Sequence, residues 1–356
     1  MSKTTSKTSA GNFFEDFTVG QEFLHPTPRT LTEADAALNI GLFGMRFAIN
    51  SSDVFAQNLG LPRAPLDDLM VFHVVIAKTV ADISVNAVAN LGYAEFRWGV
   101  PVYPGDTLSV RSKVLGLRET SDRKSGVVWV RSTGTNQKDE MVLDYVRWVM
   151  VHKRDPAATV GAPVVPKTAP SVAPADLVVP DGLKLVAYDN DAAGSSYRWE
   201  DYAAGERIDH VNGFTLEDSD HMFSTRLYQN NAWVHFDAVR GKTTRFGRRL
   251  AYGGHVISLA RSLSFNGLAN GFRVAAVNAG SHVGPTFGGD TIYAWSEILE
   301  TAPLPGRLDL GALRVRTIAA KDRPCADWPG KGPDGKYHPS VVLDLDYWLL
   351  MPTRLG

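Results

Sequence analysis

Cysteine is nearly missing: the 356 residues contain only Cys325. A lone thiol excludes an internal disulfide and any metal site built from several cysteines, and it leads us to expect a reducing, cytoplasmic setting. Surplus charge is missing too. Thirty-seven Lys and Arg stand against 38 Asp and Glu, a formal net charge of −1, which gives nucleic acid or an acidic membrane surface little to attract. No apolar run approaches the roughly 20 residues that cross a bilayer. The opening residues are polar and lack the apolar core of a signal peptide, so a frayed tail over residues 1–11 is expected. No Gly-x-x-x-x-Gly-Lys-Ser/Thr phosphate loop, Gly-x-Ser-x-Gly elbow or His-Glu-x-x-His helix occurs, and the nine histidines are scattered. The nucleotide, serine-hydrolase and zinc chemistries that use those patterns lack support. What remains is an ordinary globular composition, 44% hydrophobic and 21% charged.

What the chain does contain is a second copy of itself. Glu15-Asp16-Phe17 with Gly20 returns as Glu200-Asp201-Tyr202 with Gly205, a shift of 185 (200 minus 15). Pro101 and Gly105-Asp106-Thr107 return as Pro285 and Gly289-Asp290-Thr291, shifted by 184 (291 minus 107). Val142-Leu143-Asp144 and Trp148 return as Val342-Leu343-Asp344 and Trp348, shifted by 200 (342 minus 142), so about 16 residues (200 minus 184) are inserted late in the second copy. A repeat fixes architecture before any other signal. The first unit is placed at residues 12–154 and the second at 196–356. A Pro- and Ala-rich strap over 155–195 joins them, too rich in proline for a helix or a central strand.

The order of elements predicted within each unit is the same. Thr30-Leu31-Thr32-Glu33 and Thr215-Leu216-Glu217-Asp218 read as helix starts. Leu69 to Lys78 and His255 to Ser264 follow as buried helices, the first apolar almost all round. Strands are predicted at 94–98, 107–115, 126–134 and 142–152, and again at 274–282, 291–300, 309–318 and 341–351. A long buried helix followed by antiparallel strands predicts an α+β fold in which a curled sheet wraps the helix. This is the hotdog arrangement, here a double hotdog. The Gly/Pro-dense insertion at 321–339 reads as a long loop.

The stretch Tyr228-Gln-Asn-Asn-Ala-Trp-Val-His-Phe-Asp237, then Arg248-Arg-Leu-Ala-Tyr-Gly-Gly-His255, then Pro285 with Gly289-Asp290-Thr291, resembles the MaoC-type (R)-specific enoyl-CoA hydratases, and the fused pair resembles their double-hotdog branch. In the first unit Asn90-Leu-Gly-Tyr-Ala-Glu-Phe-Arg97, Pro104-Gly-Asp-Thr107 and Val142-Leu-Asp-Tyr-Val-Arg-Trp-Val-Met150 resemble the members of that branch that act on dicarboxylic enoyl-CoA; the resemblance implies reversible syn addition of water to an enoyl-CoA whose short acyl chain carries a second carboxylate. It implies an acid and a histidine separated by four residues and holding one water between them. His235 matches the histidine, but Asn230 stands at the acid's place, and an amide cannot accept a proton. Either His235 shuttles the proton alone or a carboxylate such as Asp237 or Asp220 helps. Gly253-Gly254 offers backbone N–H groups at a helix start for the enolate oxygen, with the Gly254 N–H favoured. Lys242, Arg245, Arg248 and Arg249 form a basic cluster for the coenzyme A phosphates, and Arg46 is a candidate partner for the acyl carboxylate. The first unit reads as a degenerate copy that shapes substrate: Ser51 lies opposite His235, and Asp67-Asp68 replace the glycines.

Each residue also has a plainer reading. Asp237 has a counterpart, Asp53, in the copy without the histidine, which favours a structural role. His73 and His282 read as packed histidines, and His221 and His255 as residues near helix starts. No metal or redox cofactor is expected, since coenzyme A belongs to the substrate, and the family implies a homodimer or higher homo-oligomer. Two other functions fit the same fold, an acyl-CoA thioesterase and a non-catalytic acyl-CoA binding protein.

Overall fold

The computed structural model describes residues 7–356; the expected frayed tail lies outside it over its first six residues. In the first unit β1 (Glu22–Thr30) and α1 (Glu33–Phe43) precede the buried helix α2 (Asp68–Thr79), and β2 (Ala87–Trp98), β3 (Thr107–Glu119), β4 (Ser125–Thr135) and β5 (Met141–His152) follow. The second unit repeats this as β6 (Arg207–Thr215), α3 (Asp218–Leu227), α4 (Gly253–Leu263), β7 (Arg273–His282), β8 (Thr291–Leu304), β9 (Arg307–Lys321) and β10 (Val341–Pro352). Threonine starts α1 as expected. The Thr32 hydroxyl accepts from the Asp35 N–H, and the Asp35 carboxylate accepts from the Thr32 N–H, a reciprocal cap. Gly44 ends the helix in the left-handed region.

The two units share one antiparallel sheet of ten strands, ordered β1-β3-β4-β5-β2-β7-β10-β9-β8-β6. The seam is β2 against β7, pairing Tyr93 with Gly280 and Phe96 with Val277. The outermost strands, β1 and β6, were not foreseen. They are half-exposed and poor in apolar alternation, and β1 carries Pro26 and Pro28, which edges tolerate.

Inside the curl lie α2 and α4. Every residue of α2 from Leu69 to Thr79 is buried, consistent with its lack of a polar face. Asp67 at the head of α2 lies near Arg261 toward the end of α4, so the helices run in opposite directions. The His73 ring bonds to the Ser258 hydroxyl at 2.8 Å across their contact. Among the described residues no helix is long and apolar enough to cross a membrane.

The proline-rich strap is packed on the sheet's other face. On β10, Tyr347 and Leu349 face the helices, while Trp348 and Leu350 join Leu177, Leu183, Leu185 and Phe272 in a separate core. Both faces of β10 are therefore covered, which explains its nearly unbroken apolar run. The Trp348 Nε1–H donates to the Val172 carbonyl at 3.0 Å, and the Asn278 side chain accepts from the Val172 N–H at 2.8 Å. Trp348→Phe removes that donor and strands a buried carbonyl. The expected loss is about 1–3 kcal/mol of stability, measured by denaturant titration at unchanged fold. In the inserted loop, Trp328 packs on Trp295 over the buried Cys325.

Candidate active site

The start of α4 is open. No side chain caps it, and the N–H groups of Gly253 and Gly254 meet no acceptor among the described residues. The glycines are required by their surroundings. A Cβ on Gly253 would lie 2.6 Å from the His282 ring, and one on Gly254 would lie 2.5 Å from Tyr252 and 2.6 Å from His73. The start of α2 is closed by contrast. Asp67 accepts from the Met70 N–H at 3.1 Å, and Asp68 accepts from the Val274 N–H at 3.2 Å. Burial raises both carboxyls, Asp68 to about 7. One unit thus leaves its helix dipole for a ligand, while the other fills the same place with its own side chains.

His235 ends a short 3-10 turn, Trp233–His235. The turn is held by the Leu250 N–H donating to the Val234 carbonyl at 3.0 Å. The His235 Nδ1 lies 3.0 Å from the Leu250 carbonyl. A carbonyl only accepts, so Nδ1 carries the proton and Nε2 keeps its lone pair. The ring is enclosed although the residue is partly exposed, and desolvation lowers its pKa to about 4. It stands edge-on to Tyr252, ring centres 5.5 Å apart, at the residue that begins α4. Asn230 is buried; its Oδ1 accepts from the Ala232 N–H at 2.9 Å, which leaves Nδ2 as the group able to donate. The first unit reaches this loop as well, since Lys78 Nζ donates to Gln229 Oε1 at 2.7 Å.

The other candidates fall into three groups. Asp237 is engaged by the backbone: its Oδ1 accepts from the Val239 and Arg240 N–H groups at 3.0 Å each, capping a short helix. Asp220 sits in the first turn of α3 bonded to Ser219. Neither carboxylate contacts His235. In the basic cluster, Arg249 is paired with Asp218 at 3.2 Å. Arg248 donates to the Gly288 carbonyl at 2.7 Å and lies over Phe287, and Arg245 lies over Phe246. With the exposed Lys242 they make a basic surface on an aromatic floor, on the loop that leads into Leu250. Arg46 is a correction. It is exposed and stacks 4.3 Å above Phe265, just past the end of α4 and so a helix length from Gly253. Units related by a pseudo-twofold place equivalent positions at opposite ends, which a shift in numbering does not reveal.

His282 is the residue that sequence reasoning set aside. From β7 its ring lies against Gly253, makes no hydrogen bond with a described residue, and has its pKa lowered to about 4 by burial. The available signal was the aligned pair: Trp98, at the matching place in the first unit (282 minus 184), donates its indole N–H to the Asp68 carbonyl at 2.8 Å.

Five histidines are held neutral by burial: His73 and His255 at about 3, and His210, His235 and His282 at about 4. In the unfolded chain they protonate near 6.5. Above that pH neither state takes up protons. As pH falls from 6.5 towards 4 the unfolded state binds protons that the folded state refuses, so stability is lost across that window. Melting temperature is expected to drop steadily between pH 7 and pH 5. Melts that stay level over this range would show that the rings are not held neutral.

This fold, with an uncapped helix start and a neutral histidine beside it, is that of a MaoC-like double-hotdog hydro-lyase. The chain belongs to the mesaconyl-CoA hydratase family, whose model matches residues 2–330. It is 60% identical, over 98% of its length and 99% of the relative's, to a β-methylmalyl-CoA dehydratase of Chloroflexus aurantiacus. It is 57% identical, over 97% and 99%, to a mesaconyl-CoA hydratase of Cereibacter sphaeroides. Among solved structures it superposes on a MaoC domain protein dehydratase of Chloroflexus aurantiacus with TM-score 0.97, at 60% identity over 98% of this chain and all of that one. Rv0216 of Mycobacterium tuberculosis, described as a double hotdog fold, matches with TM-score 0.74 at 25% identity over 96% and 98%.

Proposed function

We propose that this protein interconverts β-methylmalyl-CoA and mesaconyl-CoA by reversible syn addition of water, at the start of α4. The relatives' names supply the substrate pair, and the chemistry follows from the site. The thioester oxygen receives the Gly253 and Gly254 N–H groups, which stabilise the enolate as negative charge develops there. Asn230 Nδ2 donates to the water oxygen and turns a proton toward His235 Nε2. His235 takes that proton as the water oxygen bonds to C3, and the electron pair of the double bond moves through C2 onto the thioester oxygen. The imidazolium then returns the proton to C2 on the same face, which makes one residue sufficient for syn addition. The Nδ1–H bond to the Leu250 carbonyl fixes the tautomer and steadies the transient cation. Lys242, Arg245 and Arg248 bind the coenzyme A phosphates, and Asp237 holds the loop in shape.

The observation that carries this reading is His235, its Nδ1–H committed to the Leu250 carbonyl and its Nε2 lone pair left free, beside an uncapped helix start. The thioesterase reading lacks a carboxylate in contact with His235. The reaction needs no resident cofactor, and we place the enzyme in the cytoplasm as a homo-oligomer, which size-exclusion chromatography tests. For the function itself, mesaconyl-CoA is incubated with the protein and a chromophoric thiol reagent. The conjugated thioester absorbance should fall without thiol release. Released thiol would move the assignment to a thioesterase, and an unchanged spectrum to a binding protein.

A further inference from the structure

Arg147 on β5 is 2% exposed and forms no ion pair with any described residue. Its Nη2 donates to the Thr79 hydroxyl at 2.8 Å and the Ser84 hydroxyl at 3.2 Å, and its Nε meets no acceptor. A buried guanidinium is costly unless an anion answers it. Its position points to where that anion comes from. Across the ladder Arg147 pairs with Tyr93, the Tyr93 ring meets the His282 ring at 6.2 Å, and His282 lies on Gly253. Arg147 therefore stands two side chains behind the open start of α4.

Other unsatisfied groups gather there. Both amide atoms of Asn90 are buried and lack a well-formed hydrogen bond, and so does the Tyr145 hydroxyl. Asn90 lies beside the Tyr93 hydroxyl, and the Arg147 charge reaches the hydroxyls of Tyr93, Tyr145 and Tyr252. Native interiors leave few such groups unpaired, and here the Arg147 Nε, the Asn90 amide and the Tyr145 phenol are left so in one place.

The opposite end of the molecule shows what completes such a cluster. There the buried Arg261 and Arg273 face Asp67 and Asp68, with Asp68 3.7 Å from Arg273 Nε. The chain supplies its own two carboxylates at the start of α2. Where α2 starts with Asp68, α4 starts with Gly253, so no acid stands at that helix start, and Asp82, on the segment that carries Ser84, is bonded to His25 at 2.7 Å instead.

We infer that Arg147 receives the distal carboxylate of the acyl chain, with Asn90 and Tyr93 beside it, and so selects dicarboxylic over monocarboxylic acyl thioesters. This rests on the reading of the start of α4 as the thioester site. The test is calorimetric binding of succinyl-CoA and butyryl-CoA, equal in chain length and differing in carboxylate against methyl. Wild type should favour succinyl-CoA by about 100-fold, the scale of a charged hydrogen-bonded pair. Arg147→Gln should erase the preference, and Arg147→Lys should retain part of it because the charge remains without the fork. Equal affinities in wild type, or variants that weaken both ligands alike, would overturn the assignment. Should Arg147→Gln fail to fold, Arg147→Lys decides: a reduced preference supports the carboxylate site, and an unchanged one contradicts it. Binding does not require turnover. Selective binding without hydration of mesaconyl-CoA would therefore sink the proposed reaction and leave this site standing, and hydration without selectivity would do the reverse.

Discussion

His235→Ala should lower kcat for hydration of mesaconyl-CoA by about 10²–10⁴-fold, the range for a positioned general base, with KM changed far less. The expectation follows from the ring's three properties. Its Nδ1–H is fixed on the Leu250 carbonyl, its Nε2 is therefore free, and burial keeps it neutral down to about pH 4. No carboxylate contacts it, so no neighbour stands ready to replace it. Truncation also removes one hydrogen bond and an enclosed ring, so a modest loss of stability accompanies the loss of rate. Steady-state kinetics beside a thermal melt separate the two effects. A variant that keeps its activity would remove His235 from the chemistry.

Gly254→Ala is expected to act through geometry. Its Cβ would stand 2.5 Å from the Tyr252 ring and 2.6 Å from His73, both buried. The ring of Tyr252 must move, and with it the face that abuts His235. Alanine keeps the N–H, but a helix start shifted by the clash takes that donor off the developing negative charge, a loss of about 10²–10³-fold in kcat when complete, and overpacking adds about 1–3 kcal/mol of destabilisation. The measurement is kcat with a denaturation midpoint for the same preparation. A fully active, equally stable Gly254→Ala would show that the thioester does not sit at this helix start.

Much of the architecture was legible because the chain states it twice. The eight inner strands follow the sequence closely, and only β2 begins markedly early, at Ala87 rather than Ala94. Their alternation and their repeated turns, Gly105-Asp106 and Gly289-Asp290, are local signals. The edge strands carry no such signal: β1 is interrupted by prolines and β6 is largely exposed. The β2–β7 seam is a pairing between residues nearly two hundred apart, which no local pattern reveals. At the site, His235 and Gly253-Gly254 drew attention through residue type and spacing, and the fold brings them to one helix start. Arg46 misled because sequence alignment superposes the two units while the pseudo-twofold separates them. Arg147 was not singled out and His282 was read as packed, because a single charged or aromatic residue on an apolar strand looks the same whether it packs or binds.

On the proposed reading the duplicated fold has one working end, the second being closed by Asp67 and Asp68. Calorimetric titration of the wild-type protein with succinyl-CoA counts those ends directly. One ligand per chain, lost when Gly253 and Gly254 are both replaced by valine in a protein that still folds, is the predicted result. Two ligands per chain, or a single site that survives those replacements, would contradict it.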